Sequence, residues 1–155
     1  MLRKNPIIIK KDCIDIWSGS IEHGMSFSQG IIPFLDNAVH IEDFVYGLEN
    51  PMDCKPQLLG YLHSFSWLRD LKAGTDLSQI ARKLVNIWMQ AFETNPNNYD
   101  PYIGGIRIVN IALMYEFLTY GASSEFLKDL NKSIKKRTGL GLSRVFLLFS
   151  RQRLL

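Results

Sequence analysis

Among the side chains of this sequence that could do chemistry, His63, Trp67 and Asp70 stand out, because they recur at intervals of four and three residues. On an unbroken helix that spacing places an imidazole, an indole and a carboxylate on one face. Such a row can line a sugar-binding cleft, where an aromatic face stacks on a pyranose ring and polar groups fix its hydroxyls. The alternative is a histidine that packs beside a core tryptophan, and spacing alone tilts toward it. Arg107 and Asn110 lie one helical turn apart in a largely apolar stretch. A buried arginine must find a partner, either a carboxylate such as Asp70 or an acidic ligand. Tyr99, Tyr102, Tyr115 and Tyr120 can join such a cleft or pack a helix edge with the hydroxyl in water. The candidate cleft wall is therefore His63, Trp67, Asp70, Tyr102, Arg107 and Asn110.

The known catalytic signatures are missing from the sequence. It has no glycine-rich phosphate loop, no His-Glu-x-x-His, no Gly-x-Ser-x-Gly and no His, Cys and carboxylate cluster at metal-ligand spacing. Gly104-Gly105 falls inside a helical pattern, where close packing explains it better than nucleotide binding. His23 and His40 sit among turn residues, and a surface position accounts for both. No catalytic residue, metal or cofactor is assigned on these grounds.

The elements that must position these residues are helical. At 155 residues the chain has the length of one ordinary domain, with 46% hydrophobic and 21% charged residues, enough apolar material for a core. Residues 1–53 are rich in punctuation: Gly19, Gly24, Gly30, Pro33, Gly47 and Pro51 interrupt every periodic stretch. They read as an irregular segment with brief extended pieces and a short helix near Ile14–Ile16 or Ser20–His23. Over 54–137 apolar residues recur at helical spacing. One helix is predicted from about Pro56 to Lys72, a second from an Asp76 cap to Asn95-Pro96, a third from Asp100-Pro101 to Tyr120, which should be central, and a fourth from Ser123 or Ser124 to Thr138-Gly139. Short links make these consecutive helical hairpins.

Charge divides the chain unevenly. Residues 1–127 carry 10 Lys and Arg against 14 Asp and Glu, whereas residues 128–155 carry 8 against 1. The end of the sequence, 138–155, is a basic amphipathic tail that can lie on an anionic membrane surface or another anionic partner, but the basic segment from Lys128 onward reads first as an ordinary helix with a solvated basic face followed by an apolar stretch that packs. Without a reading element or aromatic platform, nucleic acid is not the expected partner. The two cysteines, Cys13 and Cys54, are too few for a disulfide scaffold. The apolar runs fall far short of a membrane span, and the start lacks the apolar middle of a secretory signal, so the expected location is cytoplasmic.

The order of segments carries a resemblance. Asp15-Ile16-Trp17-Ser18-Gly19, then Phe27 and Pro33, then Leu62-His63-Ser64-Phe65-Ser66-Trp67-Leu68-Arg69-Asp70-Leu71 is similar to the start of the heparinase II/III-like proteins of bacteria. The likeness continues through the helix ending near Trp88, the Pro101 start, Arg107-Ile108-Val109-Asn110 and Phe126-Leu127-Lys128-Asp129-Leu130, covering about residues 12–137. The most specific stretch is Leu-His-x-Phe-x-Trp-Leu-x-Asp-Leu. The resemblance implies an all-α fold, a partial αα-toroid built from two or three helical hairpins behind an irregular N-terminal segment. It also implies an acidic, uronate-bearing polysaccharide as ligand, since lyases of that kind cleave such chains by β-elimination. The family's catalytic Asn/His and Tyr segments, and its β-sandwich, lie beyond the part matched. The expectation is an N-terminal fragment of a polysaccharide lyase, inactive alone, which pairs with a separately encoded C-terminal half or self-associates through an apolar flank. The competing expectation is a helical adaptor that uses the basic tail.

Overall fold

The computed structural model describes residues 17–35, 37–50, 53–92 and 100–138. Eight helices and one small hairpin account for most of them. Several expectations fall outside these residues: the helix near Ile14–Ile16, the stop at Asn95-Pro96, Tyr99, Cys13 and the basic tail beyond 138.

The stretch expected to be irregular holds four elements. Helix α1 (Ile21–Ser28) starts at Ser20, whose side chain accepts from the His23 amide at 3.2 Å. Strands β1 (Ile31–Phe34) and β2 (Asn37–His40) pair antiparallel, with Ile31 opposite His40 and Phe34 opposite Asn37. Helix α2 (Ile41–Glu49) follows at once. The glycines that looked like interruptions serve as contacts and turns. A side chain at Gly24 would put its Cβ 2.5 Å from the Asp70 carbonyl, so only glycine lets α1 lie directly on the chain at that point. The hairpin escapes detection because each strand has four residues, one of them Pro33, and its turn passes through Leu35 at φ 51° without an Asn-Gly signal.

The predicted helix from Pro56 to Lys72 is two helices, α3 (Pro56–Ser64) and α4 (Leu68–Ala73). Phe65 adopts φ 59°, ψ 25°, the left-handed region. Side chains take over the carbonyls that a continuing helix would need. Trp67 Nε1 donates to the Leu62 carbonyl at 3.1 Å, and Asn110 Nδ2 donates to the Ser64 carbonyl at 2.8 Å. Ser64 Oγ donates to the Tyr61 carbonyl at 3.0 Å and accepts from the Ser66 amide at 3.3 Å, the local competition with helix that serine supplies.

Helix α5 (Ser78–Phe92) is followed by α6 (Pro101–Leu113), which has the expected start: Asp100 Oδ1 accepts from the Tyr102 and Ile103 amides, and Pro101 occupies the first turn. An irregular residue, Met114, separates α6 from the short α7 (Tyr115–Thr119). Gly121 at φ 68° ends that run, and Ser123 Oγ caps α8 (Ser124–Thr138) by accepting from the Phe126 amide.

Packing makes α5, and not α6, the central helix. It touches α2, α4, α7 and α8, while α3 packs on α6 and α1 on α4. One apolar cluster runs from Phe27, Ile32, Phe44 and Leu48 through Leu62, Trp67 and Leu84 to Leu118, Leu130 and Ile134. The two ends of the described chain therefore share a core. Trp67 ties the N-terminal elements into it, with ring centroids 6.2 Å from Phe27, 6.0 Å from Phe44 and 5.2 Å from Phe65. The architecture is mostly helical. No helix among the described residues is long and apolar enough to cross a membrane.

Candidate functional site

The break at Phe65 disperses the predicted row. His63 ends up on α3, Trp67 in the turn and Asp70 on α4, so the three do not share a helix face. Trp67 is 0% exposed and presents no ring to solvent. His63 Nδ1 accepts from Trp88 Nε1 at 3.0 Å, while Trp88 carries the Arg107 guanidinium 4.0 Å from its ring centroid. Arg107 is buried, and its stack on Trp88 is a cation–π contact inside the protein. The expected Asp70–Arg107 pair does not form. Asp70 Oδ1 accepts from the Ser20 amide at 2.8 Å, and Oδ2 lies 3.4 Å from His23 Nδ1. Asp70 thus holds the start of α1 against α4.

That clamp sets up a different site. Just before α1, Trp17 is 66% exposed, and Arg69 on α4 places its guanidinium carbon 5.7 Å from the Trp17 ring centroid. The pair forms a common wall of two open grooves. The wider one, about 660 Å³, is bounded by Trp17, Arg69 and Tyr102, with Ile106, Val109 and Asn110 among the residues beneath. The smaller, about 390 Å³, runs past Ser18, Lys72, Ala73 and Met114. Both volumes lie within the roughly 300–1,000 Å³ of small-molecule sites. Tyr102 is three-quarters exposed at the first turn of α6, where the Asp100 cap fixes it. Asn110 contributes to the wider groove while its amide holds the last turn of α3.

The chemistry of the wall is aromatic and cationic. Trp17 and Tyr102 offer ring faces, Arg69 and Lys72 offer positive charge, and no carboxylate is among the described residues that line either groove. Of the six residues named from sequence, Tyr102 and Asn110 line the wider groove; His63, Trp67, Asp70 and Arg107 line neither. Trp17, Arg69 and Lys72 are not among the cleft-wall residues expected from sequence. Their signal lies in the same run of residues: if Trp67, Leu68 and Leu71 face inward, as their burial requires, Arg69 and Lys72 must face out.

Next to the clamp, Tyr61 is half-buried and packs against Phe34, at 5.2 Å between ring centroids. Burial first, and then the Asp70 charge, pushes its hydroxyl above the ordinary tyrosine range. The described residues hold no group of three or more His, Cys, Asp or Glu that could take a metal ion. Compared with known proteins, the chain matches no family model, no curated protein and no solved structure.

Proposed function

We propose that this chain binds an acidic saccharide along the Trp17–Arg69–Tyr102 groove, as the helical N-terminal part of a heparinase II/III-like polysaccharide lyase. It supplies cleft wall, and the groups that carry out β-elimination come from elsewhere. The observation that carries this reading is the exposed Trp17 ring with the Arg69 guanidinium against it, facing an exposed Tyr102 across an open groove. Ring faces take up the C–H face of a sugar, and a cation beside them takes up its carboxylate. Neutral sugars would use only the first of these. The stretch of sequence that resembles the family, Leu62 to Leu71, contains the kink and most of the helix that presents Arg69.

Calorimetric titration of the full chain with hexagalacturonate and with a neutral hexasaccharide tests it. Binding is expected only for the acidic chain and should weaken as salt rises. Trp17→Ala and Arg69→Ala should each lower affinity about tenfold, the size of one lost stacking or charge contact in a partly desolvated site. Equal affinity for the neutral sugar, or none for either, would contradict the reading.

A further inference from the structure

Gly105 lies in the middle of α6, exposed, and a Cβ added there would meet no described residue within 4 Å. A glycine inside a helix weakens it relative to alanine, and here neither a positive φ nor a close neighbour among the described residues requires one. Gly104 beside it is different, since it is buried. Tyr102, Ile106 and Val109 share the outward face with Gly105, at the three- and four-residue spacing that aligns side chains along a helix. None of them carries a charge. Charges stand instead at the two ends of the helix. Asp100, exposed, caps its start, and Lys72, also exposed, lines the smaller groove together with Met114, the residue that closes α6.

We propose that a second copy of this chain docks on that face, the two α6 helices crossing antiparallel about a twofold axis beside Gly105. In this register Tyr102 of one copy lies over Val109 of the other, and Ile106 over Gly105. A larger side chain thus meets a smaller one at every position, the self-match that a twofold interface demands. The absent side chain at Gly105 lets the helix axes approach closely. The same register carries Asp100 of each copy to the far end of the other copy's α6, where Lys72 stands, so opposite charges meet at both ends. A parallel crossing would set like charges together instead. The proposal does not depend on the saccharide reading; because both use Tyr102, a bound saccharide and a second copy exclude one another.

Sedimentation equilibrium of the full chain without sugar tests this, over about 5–500 μM, the range suited to an interface smaller than the ~800 Å² per partner of a standard complex. The native chain should pass from monomer to dimer within it. Gly105→Leu adds apolar surface where the monomer has room, so its helix should melt no earlier than the native one, yet it should remain monomeric because the axes can no longer close. Lys72→Glu, which turns both end pairs into like-charge pairs, should weaken the dimer about tenfold, with circular dichroism confirming the fold. A native chain that stays monomeric throughout, or a Gly105→Leu chain that dimerises as well as the native one, overturns the proposal. A dimer indifferent to Lys72→Glu overturns the antiparallel register.

Discussion

Asp70 organises the site without lining it. Its two oxygens accept from the Ser20 amide and face His23, and Gly24 lies against its backbone carbonyl. Removing the carboxylate leaves a part-buried amide at the start of α1 without its acceptor, a loss of roughly 1–3 kcal/mol. Asp70→Ala should therefore lower the urea midpoint and weaken saccharide binding, whereas Asp70→Asn, which keeps one carbonyl oxygen for the Ser20 amide, should retain most of both. An unchanged midpoint for Asp70→Ala would remove the clamp from the account. Tyr61 gives a second expectation at this scale. Burial, reinforced by the Asp70 charge, raises its hydroxyl pKa, so the folded state keeps the neutral form. That contribution is complete below the unfolded value of about 10 and is lost as pH climbs beyond it. Urea midpoints should fall from about pH 10 upward, and Tyr61→Phe should blunt the fall; identical alkaline profiles for both forms would contradict this.

At the scale of elements the decisive feature is the kink between α3 and α4. A bulky residue in the left-handed region costs about 1–2 kcal/mol, which glycine would relieve. The Phe65 ring, however, packs at 5.2 Å from both Trp67 and Trp88, and deleting a buried phenylalanine ring costs about 3–5 kcal/mol. Packing outweighs strain, so Phe65→Gly should destabilise the chain in urea unfolding by about 1–4 kcal/mol; a gain in stability would mean that the ring is not what holds the turn. The same kink marks where the sequence could be read and where it could not. The helices of 56–138 are visible in their apolar spacing, in the Asp100-Pro101 start and in the Ser123 cap, because those signals are local. The break at Phe65 depends on Asn110, which bonds the Ser64 carbonyl from 46 residues away, and on the Trp67 indole turning back to Leu62. No periodicity records either bond. For the same reason spacing alone puts His63, Trp67 and Asp70 on one face, whereas the groove wall is formed by their neighbours Arg69 and Lys72.

At the scale of the whole molecule, the N-terminal elements and the helices share one core, and the groove lies where the chain entering α1 meets α4 and α6. The proposed saccharide contacts come from Trp17, Arg69 and Tyr102 and do not involve the basic residues at 144–153. Replacing Arg144, Arg151 and Arg153 with glutamine should leave hexagalacturonate affinity within about twofold, apart from the general effect of net charge on association. Loss of binding in that variant would favour the competing view of an adaptor that works through its tail. The three tryptophans provide the most direct test of all, since Trp17 is largely exposed while Trp67 and Trp88 are buried at 0% and 2%. Their indole N–H resonances can be followed by NMR as hexagalacturonate is added, with Trp17→Phe identifying the exposed one. The account predicts that the Trp17 signal moves and saturates while the other two stay nearly still. A Trp17 signal that does not respond, or a response confined to Trp67 and Trp88, would contradict it.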